Sequence, residues 1–189
     1  MYIYISIHTH THTHTHTHTH THTHTHTHTH MYMYIYAMQA HKTSAGVQEQ
    51  ACAAMKNLAV NPDNQVAVTA AGGIVAVVAA MQAHKRSAGV QEMACRALRN
   101  LAANNDNNED AISAAGGIEA LATAMKTHSA RALLQENACA ALLNLAGNAR
   151  LRERIKAAGG VELAKRAVSA SDATALTKDY GIRLLNKLA

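Results

Sequence analysis

The sequence predicts an all-α solenoid built from three-helix units, about three and a half of them, and three observations carry that prediction. Cys52, Cys95 and Cys139 recur at steps of 43 and 44 residues, and so do Asn57, Asn100 and Asn144 and also His41, His84 and His128. Glycine pairs follow the same period at Gly72-Gly73, Gly116-Gly117 and Gly159-Gly160, and Ser-Ala-Gly-Val-Gln-Glu stands both at Ser44 to Glu49 and at Ser87 to Glu92. Within each period the apolar residues fall at helical spacing and are rich in alanine, which lets helices approach closely.

Met1 to Tyr36 contains only Met, Tyr, Ile, Ser, His and Thr, and every even position from His8 to His30 is histidine. Strict alternation of this kind is what a dinucleotide DNA repeat yields in translation. With no charge and no apolar period longer than two, the segment is expected to lie outside the fold, disordered or extended, and to be dispensable for folding. If extended, it would line up alternate histidines on one face as a weak candidate for zinc, copper or nickel. The repeats then follow as a partial unit, 37–63, and three further units, 64–106, 107–148 and 149–189. The partial unit keeps a third helix, Val47 to Val60, and only Ala37 to His41 of a second helix. In the full units a short first helix such as Asn107 to Ala115 starts at an Asn cap and ends at the first Gly of the pair. A second helix follows, with Ile118, Leu121, Ala122 and Met125 in register. The third runs from Val90 to Ala103, its apolar stripe formed by Val90, Ala94, Ala97, Leu98 and Leu101.

Composition narrows the function. The chain has 189 residues with a net charge of +5, all of it carried after Ala37, and contains neither Trp nor Phe. Tyr180 is the one aromatic residue beyond Tyr36, so no aromatic platform for single-stranded nucleic acid is available. Val66 to Met81 is nearly all apolar, but crossing a membrane needs about 20 such residues, and this stretch holds Thr69 and a helix-breaking Gly pair. The three Cys occupy equivalent places in stacked helices, about 8 to 10 Å apart, too far for a disulfide. They read as small buried thiols. With no secretory signal, the expected setting is intracellular, cytoplasmic or nuclear. No nucleophile elbow, phosphate loop, Cys-x-x-Cys or His-Glu-x-x-His is found, and neither catalysis nor a cofactor is expected.

The candidate site is the polar face of the third helices. Glu92, Arg96 and Asn100 are spaced by four and lie opposite the apolar stripe, together with Arg99. The same face carries Glu49, Ala53, Lys56 and Asn57 in the first unit, and Glu136, Ala140, Leu143 and Asn144 in the third. Arg150, Arg152, Arg154 and Lys156 form a second basic run on a short helix, read as a solvated face.

The stretch Asn64 to Leu101, NQVAVTAAGGIVAVVAAMQAHKRSAGVQEMACRALRNL, resembles the armadillo repeat, and the likeness recurs in register over Ala37 to Ala189. That resemblance implies a right-handed superhelix whose third helices line a concave groove. There an Asn ladder, carried here to Asn57, Asn100 and Asn144, grips the backbone of an extended peptide. An Asn amide suits the task because it donates and accepts at once. The Trp that importin-α-like relatives place four residues before the Asn is replaced by Ala53, Arg96 and Ala140, so basic nuclear-localisation peptides are not the expected ligand. Lys56, Arg96 and Arg99, with Glu92 and Glu136 on the same surface, make the groove nearer to β-catenin-like capture of an acidic segment. In the last unit Lys187 stands where the Asn would be. The expected function is a non-enzymatic scaffold for another protein's extended segment, with no membrane partner and with self-association through the uncapped N-terminal end. The alternatives are a basic solenoid that binds nucleic acid and a metal-binding His-Thr tract.

Overall fold

The computed structural model describes residues 18–189, with side chains from residue 29 onward. Among the described residues it is entirely helical. The helices are α1 (His18–Ala40), α2 (Ala45–Leu58), α3 (Pro62–Ala70), α4 (Gly73–Ala83), α5 (Ala88–Leu101), α6 (Asp106–Ala114), α7 (Gly117–Thr127), α8 (Ala132–Leu145), α9 (Ala149–Ala157), α10 (Gly160–Ser169) and α11 (Ala175–Leu188). Third helices α2, α5, α8 and α11 pack side by side as one layer, and second helices α1, α4, α7 and α10 stack as another.

Local chemistry sets the boundaries. Ser44 and Ser87 cap α2 and α5 by accepting from Val47 N and Val90 N, and Asn61, Asn105 and Asn148 cap the short first helices. Each cap satisfies backbone N–H groups that the helix start would leave unpaired. The third helices therefore begin and end two residues earlier than the apolar pattern suggests, since Ala59 and Val60 already belong to the turn. Between first and second helices the chain reverses through Gly72, Gly116 and Gly159, with φ of +80°, +82° and +90°. An L side chain is strained in that conformation, which is why the pair recurs.

The core is made of small and medium residues repeated in register. Met55, Val90, Leu98, Leu101, Ile112, Leu121, Leu134 and Leu142 are all essentially inaccessible, interleaved with Ala94, Ala97, Ala138 and Ala141. Cys52, Cys95 and Cys139 are buried free thiols. Burial pushes the Cys139 thiol up to about 12, and does the same at Cys52 with the Glu49 charge adding to it. Gln48, Gln91 and Gln135 are buried within this core because each donates twice. Gln91 Nε2 reaches Met81 O at 2.8 Å and His84 O at 3.1 Å, tying the end of a second helix to the third helix that follows. Gln48 and Gln135 repeat the same pair of bonds. No single helix among the described residues is long and apolar enough to cross a membrane, and α3 and α4 are bent by 72° at the Gly pair.

The structure corrects the expected boundary at Tyr36. Helix α1 runs straight through it, so the tract from His18 onward is helical, not extended, and Met31, Ile35 and Met38 are 2%, 4% and 3% exposed. These residues stand 43 positions before Ile74, Val78 and Met81 and fill the same places. The second helix of the first unit is thus present, supplied by the end of the low-complexity tract. The physical reason is simple: in Met-Tyr-Met-Tyr-Ile-Tyr both members of the alternation are apolar, so a period of two also satisfies positions i, i+4 and i+7 of a helix. His8 to His16 lie outside the described residues.

Candidate functional site

The polar faces of α2, α5 and α8 hold the residues singled out in the sequence, and the structure brings most of them together through repeat-to-repeat contacts. Asn100 Nδ2 donates to Lys56 O at 2.9 Å, and Asn144 Nδ2 donates to Arg99 O at 3.0 Å. Each ladder Asn is therefore anchored to the last turn of the preceding third helix, and its Oδ1 is left without a hydrogen-bond partner among the described residues. Asn57 is exposed and makes no such bond among the described residues. The last unit has exposed Lys187 in this place.

Acids of the same face are engaged at helix starts. Glu49 packs against Gly89 in the first turn of α5. Glu92 lies 3.7 Å from the guanidinium of Arg131, the residue that precedes α8. Glu136 is buried and accepts from Oγ1 of Thr174, the cap of α11, at 2.7 Å. An anion at a helix N-terminus is favoured by the exposed N–H groups and the aligned peptide dipoles, so these three carboxylates hold one repeat against the next.

The cations divide. Arg99 spans three helices: Nη1 donates to Asn137 Oδ1 and Nη2 to Tyr180 OH, both at 3.1 Å, and its guanidinium stands 5.3 Å above the centre of the Tyr180 ring. Such stacking is favourable where the pair is partly withdrawn from water. Asn137 and Tyr180 were not foreseen as site residues, although Tyr180 is conspicuous in the sequence as an isolated aromatic. Lys56 and Arg96 are half-buried and have no acidic partner among the described residues.

The second basic run differs, because three of its four charges are matched by acids. Arg150 meets Asp110 at 3.4 Å, Lys156 meets Glu153 at 3.0 Å, and Arg154 grips both carboxylate oxygens of Glu119 and donates to Ser113 Oγ. Burial pushes the Glu119 carboxyl up, but the hydrogen bonding from Arg154, a backbone hydrogen bond and the Arg154 charge together outweigh it and hold it below the usual range. Arg152 donates from Nε to Ala146 O at 2.9 Å. The repeat histidines also act as ties: the Nε2 atoms of His84 and His128 lie 2.7 and 2.9 Å from the carbonyls of Lys42 and Lys85. Among the described residues no cluster of three His, Cys, Asp or Glu is arranged to hold a metal ion.

A family model described as LRRK2 ARM repeat matches residues 5–173. Among solved structures, an engineered protein is 28% identical with a TM-score of 0.72, over 84% of this chain and 62% of its own. A second engineered protein is 25% identical with a TM-score of 0.73, over 84% of this chain and 63% of its own. A designed armadillo repeat protein in complex with the peptide (KR)4 superposes with a TM-score of 0.72 at 19% identity, over 84% of this chain and 64% of its own. The chain thus spans less than two thirds of the length of these structures. No curated protein matches it.

Proposed function

The chain belongs to the armadillo-repeat family, and from that premise we propose that it is a non-enzymatic scaffold whose groove holds an extended, acidic segment of another protein. The observation that carries this reading is the division of charge on α2, α5 and α8. Glu49, Glu92 and Glu136 are turned to the starts of neighbouring helices, whereas Lys56 and Arg96 carry no acidic partner among the described residues. The ladder oxygens of Asn100 and Asn144 are oriented by their own Nδ2 bonds and are ready to accept from a peptide N–H. A designed relative is seen with the basic peptide (KR)4. The present groove has the opposite sign at its centre, because Arg96 stands four residues before Asn100.

Fluorescence anisotropy with an acidic peptide, a (KR)4 peptide and duplex DNA tests the proposal. Binding of the acidic peptide, weakened at least tenfold by Arg96→Glu or Lys56→Glu and little by changes at Arg150, is the expected result. Preference for (KR)4 would overturn it, and so would DNA binding with a steep salt slope that the Arg150 change abolishes. The open flank of the first repeat, where Met33 and Tyr36 are largely exposed on α1, supports self-association as a second property of the same scaffold.

A further inference from the structure

The fourth residue after the Asn cap of each first helix is placed against the joint between repeats. In α3 it is Gln65, which donates from Nε2 to Ala59 O at 3.1 Å and to Asn100 O, at the end of α5, at 3.0 Å. In α9 it is Arg152, which donates to Ala146 O. Between them, α6 carries Glu109, an acceptor where both counterparts are donors. Glu109 is 5% exposed, and its Oε2 is buried with no hydrogen-bond partner among the described residues. An ionised carboxylate with an oxygen buried away from any donor is a costly arrangement. The same region holds a carbonyl, Asn144 O, that accepts from Gly147 N at 2.8 Å and has a second lone pair to offer. The space beside Gly147 is bordered by Asn144 O and Glu109 Oε1, which a Cβ there would meet at 2.8 and 3.9 Å. Asn144 O is the counterpart of Asn100 O, the carbonyl that Gln65 engages one repeat earlier.

We propose that Glu109 is a proton-operated clasp inside the third repeat, between its first helix α6 and its third helix α8: the protonated carboxyl donates to Asn144 O, the counterpart of the bond that Gln65 makes to Asn100 O in the preceding unit, and ionisation breaks it. The charged groups around it are Asp106 and Asp110 on its own helix, Lys187 from α11, and Arg150 of α9, which is paired with Asp110. Burial, then the charges of Asp106 and Asp110, push the Glu109 carboxyl up to about 7, with Lys187 opposing. The sign follows from linkage. The native state holds this proton more tightly than the unfolded chain does, so stability is greatest below the ordinary carboxylate range. It falls as pH rises toward about 7 and is flat above that.

The test compares thermal midpoints of the full chain and of Glu109→Gln between pH 5 and pH 8.5. Glutamine keeps a donor at every pH, so the difference between the two proteins should be small at pH 5 and widen by several degrees at pH 8.5, with the variant the more stable. Titrations elsewhere in the chain cancel in that difference. Infrared spectra of the unaltered chain supply an independent reading: a protonated carboxyl band should disappear as pH passes 7 and should be missing from Glu109→Gln. A midpoint difference that does not change with pH, or the lack of a titrating carboxyl band, overturns the proposal. Should the variant fail to fold, the infrared titration decides alone.

Discussion

The first repeat and the second use the same positions in the same register, yet one flank of the first faces solvent. Met33 is 61% exposed where Ala76 and Ala120, its counterparts in α4 and α7, are 9% and 7% exposed. Tyr34 is 38% exposed where Val77 and Leu121 are fully buried. Val47 and Leu58 in α2 are likewise only partly covered, while Val90 and Leu101 are inaccessible. The inner repeats owe that burial to the second and third helices of the unit before them. A repeat in such an array completes only part of its core by itself and borrows the remainder from its predecessor.

The largest expected effect comes from widening this difference. Removing residues 1–36 takes away Met31 and Ile35, each buried on the first repeat. At roughly 1.5 to 3 kcal/mol for a fully buried side chain of this size, the loss is about 3 to 6 kcal/mol. A thermal melt should therefore show a clearly lower midpoint than the full chain, and an unchanged midpoint would place α1 outside the cooperative unit. The next effect is smaller and contrasts two equivalent residues. Asn100→Ala leaves Lys56 O without its donor and should cost about 1 to 2 kcal/mol in chemical denaturation, whereas Asn57→Ala, which breaks no such bond among the described residues, should be near neutral. Equal costs would mean that the ladder bonds contribute nothing. Met33→Glu should leave stability nearly untouched and shift sedimentation toward the monomer if the open flank is where copies meet. The subtlest contrast is kinetic. All three thiols are buried and shifted upward, so modification requires local opening. A thiol reagent under native conditions should reach Cys52 in the half-covered repeat before Cys95 and Cys139.

The repeat period was legible because Cys, Asn, His and Gly recur at places where only a small, a capping or a glycine residue fits. The extent of the first repeat was not, since Met31, Ile35 and Met38 are hidden inside an alternation whose two members are both apolar. The site was half legible. Lys56, Arg96 and the Asn ladder follow from the spacing on one helix face. The partners that define them do not, because Lys56 O and Arg99 O are backbone atoms that leave no mark in a sequence, and Arg99 finds Tyr180 two helices and 81 positions away. Glu109 was overlooked for a related reason: it becomes unusual only beside the bonds of Gln65 and Arg152.

The ladder bonds also have a direction. Asn100 reaches back to Lys56 O and Asn144 to Arg99 O, and His84 and His128 reach back to the turns before them, so in these series the later repeat always brings the donor and the earlier one supplies a carbonyl. A chain that emerges from the ribosome N-terminus first therefore presents each arriving Asn and His of these two series with a carbonyl already in place. The same asymmetry distinguishes the two ends as places to lengthen or shorten the array. Within these two series, trimming from the C-terminus uncovers carbonyls, which water satisfies readily, whereas trimming from the N-terminus strands amide and imidazole donors that had been fastened to what was removed.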